Sequence, residues 1–255
     1  MEEKRYRNLR IFNLVMAVLH AVQGGLMLYL SNDFALPITT GFLKFNPMVQ
    51  QLIPVYETVW EVRIGPLVAI FLFLSAVAHL LVSLPGIYQW YVNNLKKGIN
   101  KARWIEYSVS SSLMMVVIAM LVGMYDGVSL LLLLSVNACM ILFGWVMEVH
   151  NQSTEKTNWT SYIFGCFAGL IPWVAVALYL VGSIEGDQGP PNFVYWIFFS
   201  IFLFFNIFAI NMILQYKKIG PWKDYVFGEK VYIILSLVAK SVLAWQVFAG
   251  TLRPV

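Results

Sequence analysis

The chain has 255 residues, 60% of them hydrophobic and 12% charged, and its mean hydropathy is +0.72. A soluble domain of this length could not cover so much apolar surface, so the composition excludes an ordinary soluble globular protein and indicates an integral membrane protein. The net charge of +4 is no argument for nucleic acid, because the basic residues cluster at the ends of apolar segments, where they report topology first.

Seven segments are long enough to span a bilayer: 11–30, 64–84, 104–124, 128–147, 161–182, 193–215 and 231–250. The leading stretch MEEKRYRNLR precedes a long apolar run without a small-residue cleavage site, so it reads as the start of a retained first helix. Ten residues precede the first span and five follow the last, so a single domain over 1–255 is expected, with no soluble domain at either end. The N-terminus and the even-numbered loops together carry 13 Lys and Arg residues, and the other side carries 3. The positive-inside rule then puts the N-terminus in the cytoplasm and the C-terminus outside, in a multi-pass protein of the cell membrane. The acidic residues split evenly between the two sides and leave one over, Glu106.

The first external connection, 31–63, is the longest loop. It carries Pro37, Pro47 and Pro54 among apolar residues, and a folded cap over the bundle is expected there. The stretch 183–192, SIEGDQGPPN, reads as a plain turn region. The loops at 85–103 and 216–230 are basic and suit anionic inner-leaflet headgroups. Trp90, Trp104, Trp159 and Trp222 flank spans and read as interfacial anchors. Cys139 and Cys166 both fall in apolar stretches, where packing is the default role.

Two ionisable residues remain inside the spans. Lys240 sits at the middle of the last span, roughly 15 Å from either end, which is too far for its stem to carry the charge to the headgroups. Either it pairs with a buried carboxylate or its amine is used covalently, as a Schiff base. Glu106, in RWIEYSVSSSLMMVV, opens the third span and lies about two turns inside its helix if that helix begins near Gly98. It is either the partner of Lys240 or an interfacial carboxylate paired with Arg103 or Lys101. Ser110 shares its face at i+4, and Tyr107 and Ser111 form the adjacent stripe. Ser236 lies one turn before Lys240 on the same face. His20 and His79 fall in the first two spans. They are too few for a metal site and read as part of a polar cavity able to take up a proton, or as hydrogen-bonded core residues. Asn13, Gln23, Asn137, Asn206 and Asn211 could extend that network. The 40 aromatic residues, dense in FVYWIFFSIFLFFNIF, pack helices and would also line a slot for a flat conjugated ligand. There is no phosphate-cradling glycine loop, HExxH or nucleophile elbow, so an enzyme is not expected.

A lysine in the seventh span and a carboxylate in the third is the arrangement of retinal proteins. RWIEYSVSS resembles the third-helix pattern of microbial rhodopsins, with an arginine, an aromatic and then the counterion three residues after the arginine. With the inverted topology and the stretches VNACMILFGW, FGCFAGLIPW and YIILSLVAKSVLAWQ, the chain resembles the heliorhodopsins over nearly its whole length.

That resemblance implies an all-α seven-helix membrane protein. It also implies all-trans retinal held on Lys240 as a protonated Schiff base, with Glu106 as counterion. A polar pocket would map to His20, His79, Ser236 and Asn137, with Ser110 and Tyr107 near the counterion. Phe205 would stand where pumps place a bulky tryptophan, and Met140 and Gly144 would flank the ligand. A homodimer and a short sheet in the first external loop are implied as well. Ser236 and Val117 occupy positions where typical pumps carry carboxylates, and a chloride pump needs a neutral residue in place of Glu106. The expected function is therefore a photoreceptor with a slow photocycle and no net pumping, acting through an unidentified signalling partner. Light-driven or light-gated ion transport is the alternative, and a light-independent ion pair is the third reading.

Overall fold

The computed structural model describes residues 2–184 and 189–253. Part of the expected turn, 185–188, lies outside the described residues. Among the described residues seven helices are long and apolar enough to cross a membrane. They are α1 (Glu2–Leu30), α2 (Ile64–Leu81), α4 (Lys101–Leu121), α5 (Gly127–His150), α6 (Thr160–Gly182), α7 (Asn192–Tyr216) and α8 (Tyr225–Val247). All seven expected spans are present. The boundaries differ mainly at the N-terminal-side ends, where α1, α4 and α8 begin several residues earlier. Helical hydrogen bonding continues there past the apolar stretch, through Arg103 and Glu229.

The bundle is held by neighbour packing of α1 on α2, α2 on α4, α4 on α5, α5 on α6 and α7 on α8, and α8 also touches α1 and α2. Its core is a contiguous cluster that includes Phe71, Leu72, Met115, Ile118, Val176 and Leu243. Between α6 and α7 the contact is aromatic. Trp173 meets Phe198, Phe202 and Phe205 edge-on, at centroid distances of 5.6, 5.2 and 5.4 Å. The outer faces remain apolar: Val18, Phe167 and Leu178 are 61%, 70% and 69% exposed. Such surface is stable only where the surrounding solvent is lipid.

The loop 85–103 is not plain loop. It contains a ten-residue helix, α3 (Ile87–Lys96), which packs Tyr91, Val92 and Leu95 inward. Gly98, at φ +72°, then turns the chain into α4, in a conformation that disfavours a side chain.

The expected cap at 31–63 is an antiparallel hairpin, β1 (Ala35–Asn46) paired with β2 (Gln51–Arg63), with an irregularity between Ile38 and Thr39. It does not lie over the bundle along its length. Its root packs, through Phe34, Leu36, Ile38 and Val62, while Met48 at the tip is 94% exposed. Thr39 N donates to Tyr125 O at 2.8 Å, joining the root to the turn before α5.

That turn is capped by Asp126, whose carboxylate accepts from the Ser129 hydroxyl at 2.6 Å and from Ser129 N at 2.7 Å. The Ser129 hydroxyl, then its backbone N–H, hold the Asp126 carboxyl below its ordinary value of 3.8. A depressed folded-state value means the cap stabilises above 3.8 and is lost as pH falls through the folded-state value. Asp126→Ala is expected to cost about 1 kcal/mol at neutral pH. In melting experiments the gap from the parent protein should close as the pH is taken below 3.8. A gap independent of pH would show that the carboxylate is not the capping group.

Candidate functional site

Lys240 and Glu106 meet. Lys240 Nζ donates to Glu106 Oε1 at 2.8 Å and to Ser236 Oγ at 3.0 Å. The two side chains are 4% and 9% exposed, so the pair is buried. Ser75 on α2 donates to the same Glu106 oxygen at 2.6 Å. Each charge thus has an opposite charge and a hydroxyl, the condition under which an ion pair persists in a low-dielectric interior. The i, i+4 spacing of Ser236 and Lys240 on α8 delivers both groups to one point. The interfacial reading of Glu106 does not hold, because Arg103 is engaged elsewhere.

Lys240 opens onto a cavity between α4, α5, α6, α7 and α8 that encloses about 850 Å³ of empty space, its mouth included. Tyr107, Ser110, Met140, Gly144, Phe205 and Ser236 line it. Its walls also include Trp104, Tyr162, Cys166, Phe208, Met212 and Tyr232. The Tyr107 hydroxyl donates to Tyr232 O at 2.9 Å, pinning α4 to α8 beside the lysine. Asn137 does not line the cavity. Its amide donates to Ser111 and Ser112, both at 3.0 Å, and ties α5 to α4. The Ser110 hydroxyl is buried and has no hydrogen-bond partner among the described residues.

A glycine shapes one wall. A Cβ on Gly144 would overlap the Trp104 ring, which lies against it. Gly144→Ala is expected to push Trp104 into the cavity, with an overpacking cost of about 1–3 kcal/mol. Slower and less complete uptake of added chromophore, followed by absorption, would register that displacement.

His20 and His79 stack with centroids 5.7 Å apart. His79 Nδ1 lies 2.7 Å from Asn13 Oδ1, and the Asn13 amide donates to Leu9 O, so Nδ1 carries the proton. His20 is fully buried, and neither ring nitrogen has a partner among the described residues. His79 borders a second, smaller cavity that also touches Glu106, Asn13, Tyr91, Asn100 and Arg103. Asn13 therefore joins this network. Asn206 instead bonds its own helix at Phe202 O, Asn211 holds Trp222, and Gln23 accepts from Trp245.

The sequence reading missed a second buried charge centre. Arg103 donates to Glu148 at 2.7 Å and also to Glu229. All three side chains are 4% exposed or less. Asn100 donates its N–H to Glu148 at 3.0 Å and its amide to Glu229 at 2.6 Å. Trp104, expected as an interfacial anchor, is buried, and its indole N–H donates to Glu148. The Arg103 guanidinium lies 4.3 Å from the Trp104 ring and 3.9 Å from the Tyr232 ring, and both rings are walls of the large cavity. The available signal was positional: Arg103, Glu106 and Tyr107 fall on one helical face, as do Glu229, Ser236 and Lys240.

Solved structures share this architecture. The transmembrane domain and linker region of a Salpingoeca rosetta rhodopsin phosphodiesterase superposes with a TM-score of 0.68 at 14% identity, covering 94% of this chain and 70% of that one. A light-driven proton pump from Leptosphaeria maculans gives 0.66 at 14% identity, over 94% of both chains. At that identity the likeness establishes the fold, which is that of the seven-helix rhodopsins. No curated protein sequence matches the chain. The heliorhodopsin family model matches residues 9–252, and the chain belongs to that family. It is accordingly a multi-pass membrane protein of the retinal photoreceptor class.

The residues present fit retinal. The cavity is walled by aromatic and sulfur-bearing side chains and offers one amine, Lys240, backed by a carboxylate.

Proposed function

We propose that this heliorhodopsin is a photosensory receptor that holds all-trans retinal on Lys240 as a protonated Schiff base, with Glu106 as counterion. The observation that carries this is the buried contact of 2.8 Å between Lys240 and Glu106 at the edge of an aromatic-walled cavity. Bound there, the conjugated chromophore supplies visible absorption and a light-driven change of shape. The protein's own groups do the rest. Glu106 supplies the opposite charge that a cation on the Lys240 nitrogen needs in a buried site. Ser75 and Ser236 fix the geometry of that pair. Tyr107, Met140, Gly144 and Phe205 confine the space beside it. His20 and His79 form the polar side from which a displaced proton is first met, while Ser110 and Asn137 lend polarity to α4 and its contact with α5.

The absence of net pumping is supported by Val117, which is fully buried in the apolar core where a proton donor would be required. Silence in voltage-clamp recordings under illumination is the expected result, and sustained photocurrents would establish transport instead. The charge asymmetry supports a cytoplasmic N-terminus, with the hairpin at 31–63 outside, in a single domain over 1–255. We further propose a homodimer, a separate signalling partner and no enzymatic activity in this chain.

The deciding experiment adds all-trans retinal to the purified protein and to Lys240→Ala. A visible band in the parent and none in the variant is expected. A band in both would place the chromophore elsewhere.

A further inference from the structure

The charged groups buried inside the bundle do not balance. Lys240 faces one carboxylate, Glu106, but Arg103 faces two, Glu148 and Glu229, so with both ionised that cluster carries one net negative charge. The smaller cavity lies between the two centres, touching Lys240 only through its partner Glu106 and Glu229 only through its partners Asn100 and Arg103. Glu106 and His79 border it near Lys240, and Tyr91, Asn100 and Arg103 border it at the cluster. It spans about 380 Å³ of empty space, its mouth included, and Asn13, His79, Asn100 and Glu106 on its walls offer polar partners for water. On α8, Glu229 and Lys240 are eleven residues apart, three turns along the same face, about 16 Å.

We propose that Glu229 is the resting place of the proton that light displaces from Lys240, reached along this corridor. The inference rests on the retinal reading above and extends it. An N–H bond breaks at Lys240, and its electron pair stays on nitrogen. An O–H bond forms on Glu229. The Lys240–Glu106 centre changes from neutral to −1, and the Arg103 cluster changes from −1 to neutral. The return in the dark reverses both, and nothing else is consumed.

The choice between the two cluster carboxylates follows from their partners. Glu148 accepts four hydrogen bonds, from Arg103, Tyr225, Asn100 N and Trp104, which fill both its oxygens as an anion. Glu229 accepts from Arg103 and Asn100, with Gln215 more distant at 3.5 Å, so its Oε2 has room for a proton. The groups facing the cluster are Tyr91 from α3, Arg103 and Tyr107 from α4, Glu148 from α5, Gln215 and Tyr216 from α7, and Tyr225 and Tyr232 from α8. His20 is a poor acceptor, because as a cation it would bury two N–H groups without partners. His79 keeps its Nδ1 proton on Asn13 and can take a second at Nε2, as a way station between the two centres.

The test is light-minus-dark infrared difference spectroscopy on the full chain loaded with all-trans retinal, with visible spectra recorded on the same sample. In the parent, a new protonated-carboxyl stretching band should rise together with a blue-shifted, deprotonated species. The band should be lost in Glu229→Gln and displaced in frequency in Glu229→Asp. Glu229→Gln leaves Arg103 paired one-to-one with Glu148 and should fold; the aspartate variant answers the question if it does not. A parent without the new band, a band unchanged in both variants, or no deprotonated species overturns the proposal. If no visible band forms with retinal at all, the retinal reading itself falls, and this inference falls with it.

Discussion

Glu106→Gln is expected to remove the visible band of the retinal-loaded protein at neutral pH and replace it with near-ultraviolet absorption. The amide keeps the shape and can still accept from Ser75, but it leaves the nitrogen charge on Lys240 without an opposite charge in a site where both partners are less than a tenth exposed. Breaking a buried ion pair from one side costs about 3–5 kcal/mol. That cost falls only on the protonated form, so its population relative to the neutral form drops by roughly 10²-fold to several thousandfold. Glu106→Asp, which keeps the charge, should retain a visible band at a shifted position. A visible band unaltered in Glu106→Gln would mean that another carboxylate serves the nitrogen.

The second large effect is on folding. Arg103→Gln should sharply reduce the yield and melting temperature of the protein with or without retinal, because it strands two carboxylates, each at most 1% exposed, with no cation. Losing one partner of a buried pair costs about 3–5 kcal/mol, a large share of the roughly 5–15 kcal/mol that holds a folded domain together. Replacing all three charges together, as Arg103→Met, Glu148→Leu and Glu229→Leu, should recover most of that loss, since the desolvation cost leaves with the charges. Melting curves of the single and triple variants check this. A triple variant as unstable as Arg103→Gln would show that the cluster is required for packing beyond its charge balance.

These two expectations concern adjacent turns of α4, and they differ in how readable they were. Glu106 and Lys240 stood out because every other charge could be assigned to a loop, and a charge that cannot leave the apolar run must be matched inside. Arg103, Glu148 and Glu229 sit at span ends, where the same counting assigns them to the aqueous side. Only the packing of α3, α7 and the Asn100 turn over them removes that water. Trp104 follows the same logic: a tryptophan at a span end suits the interface until Glu148 on α5 presents an acceptor. The wall residues Met140, Gly144 and Phe205 were legible through the heliorhodopsin resemblance and not through periodicity, because helix packing and a ligand slot ask for the same aromatic and small side chains.

The sequence by itself determined the membrane class, the number of spans and the chemical identity of the central pair. Each follows from one-dimensional quantities: the length of apolar runs, the placement of charges along them, and the cost of an unmatched ion in hydrocarbon. The tertiary structure decided the rest. It turned the long loop into a hairpin packed mainly at its root, placed Asn137 in the seam between α4 and α5, and assembled a second charge centre from α4, α5 and α8. Those outcomes depend on which helix faces meet and what they exclude from water, and side chains from separate helices meet only after the bundle has closed.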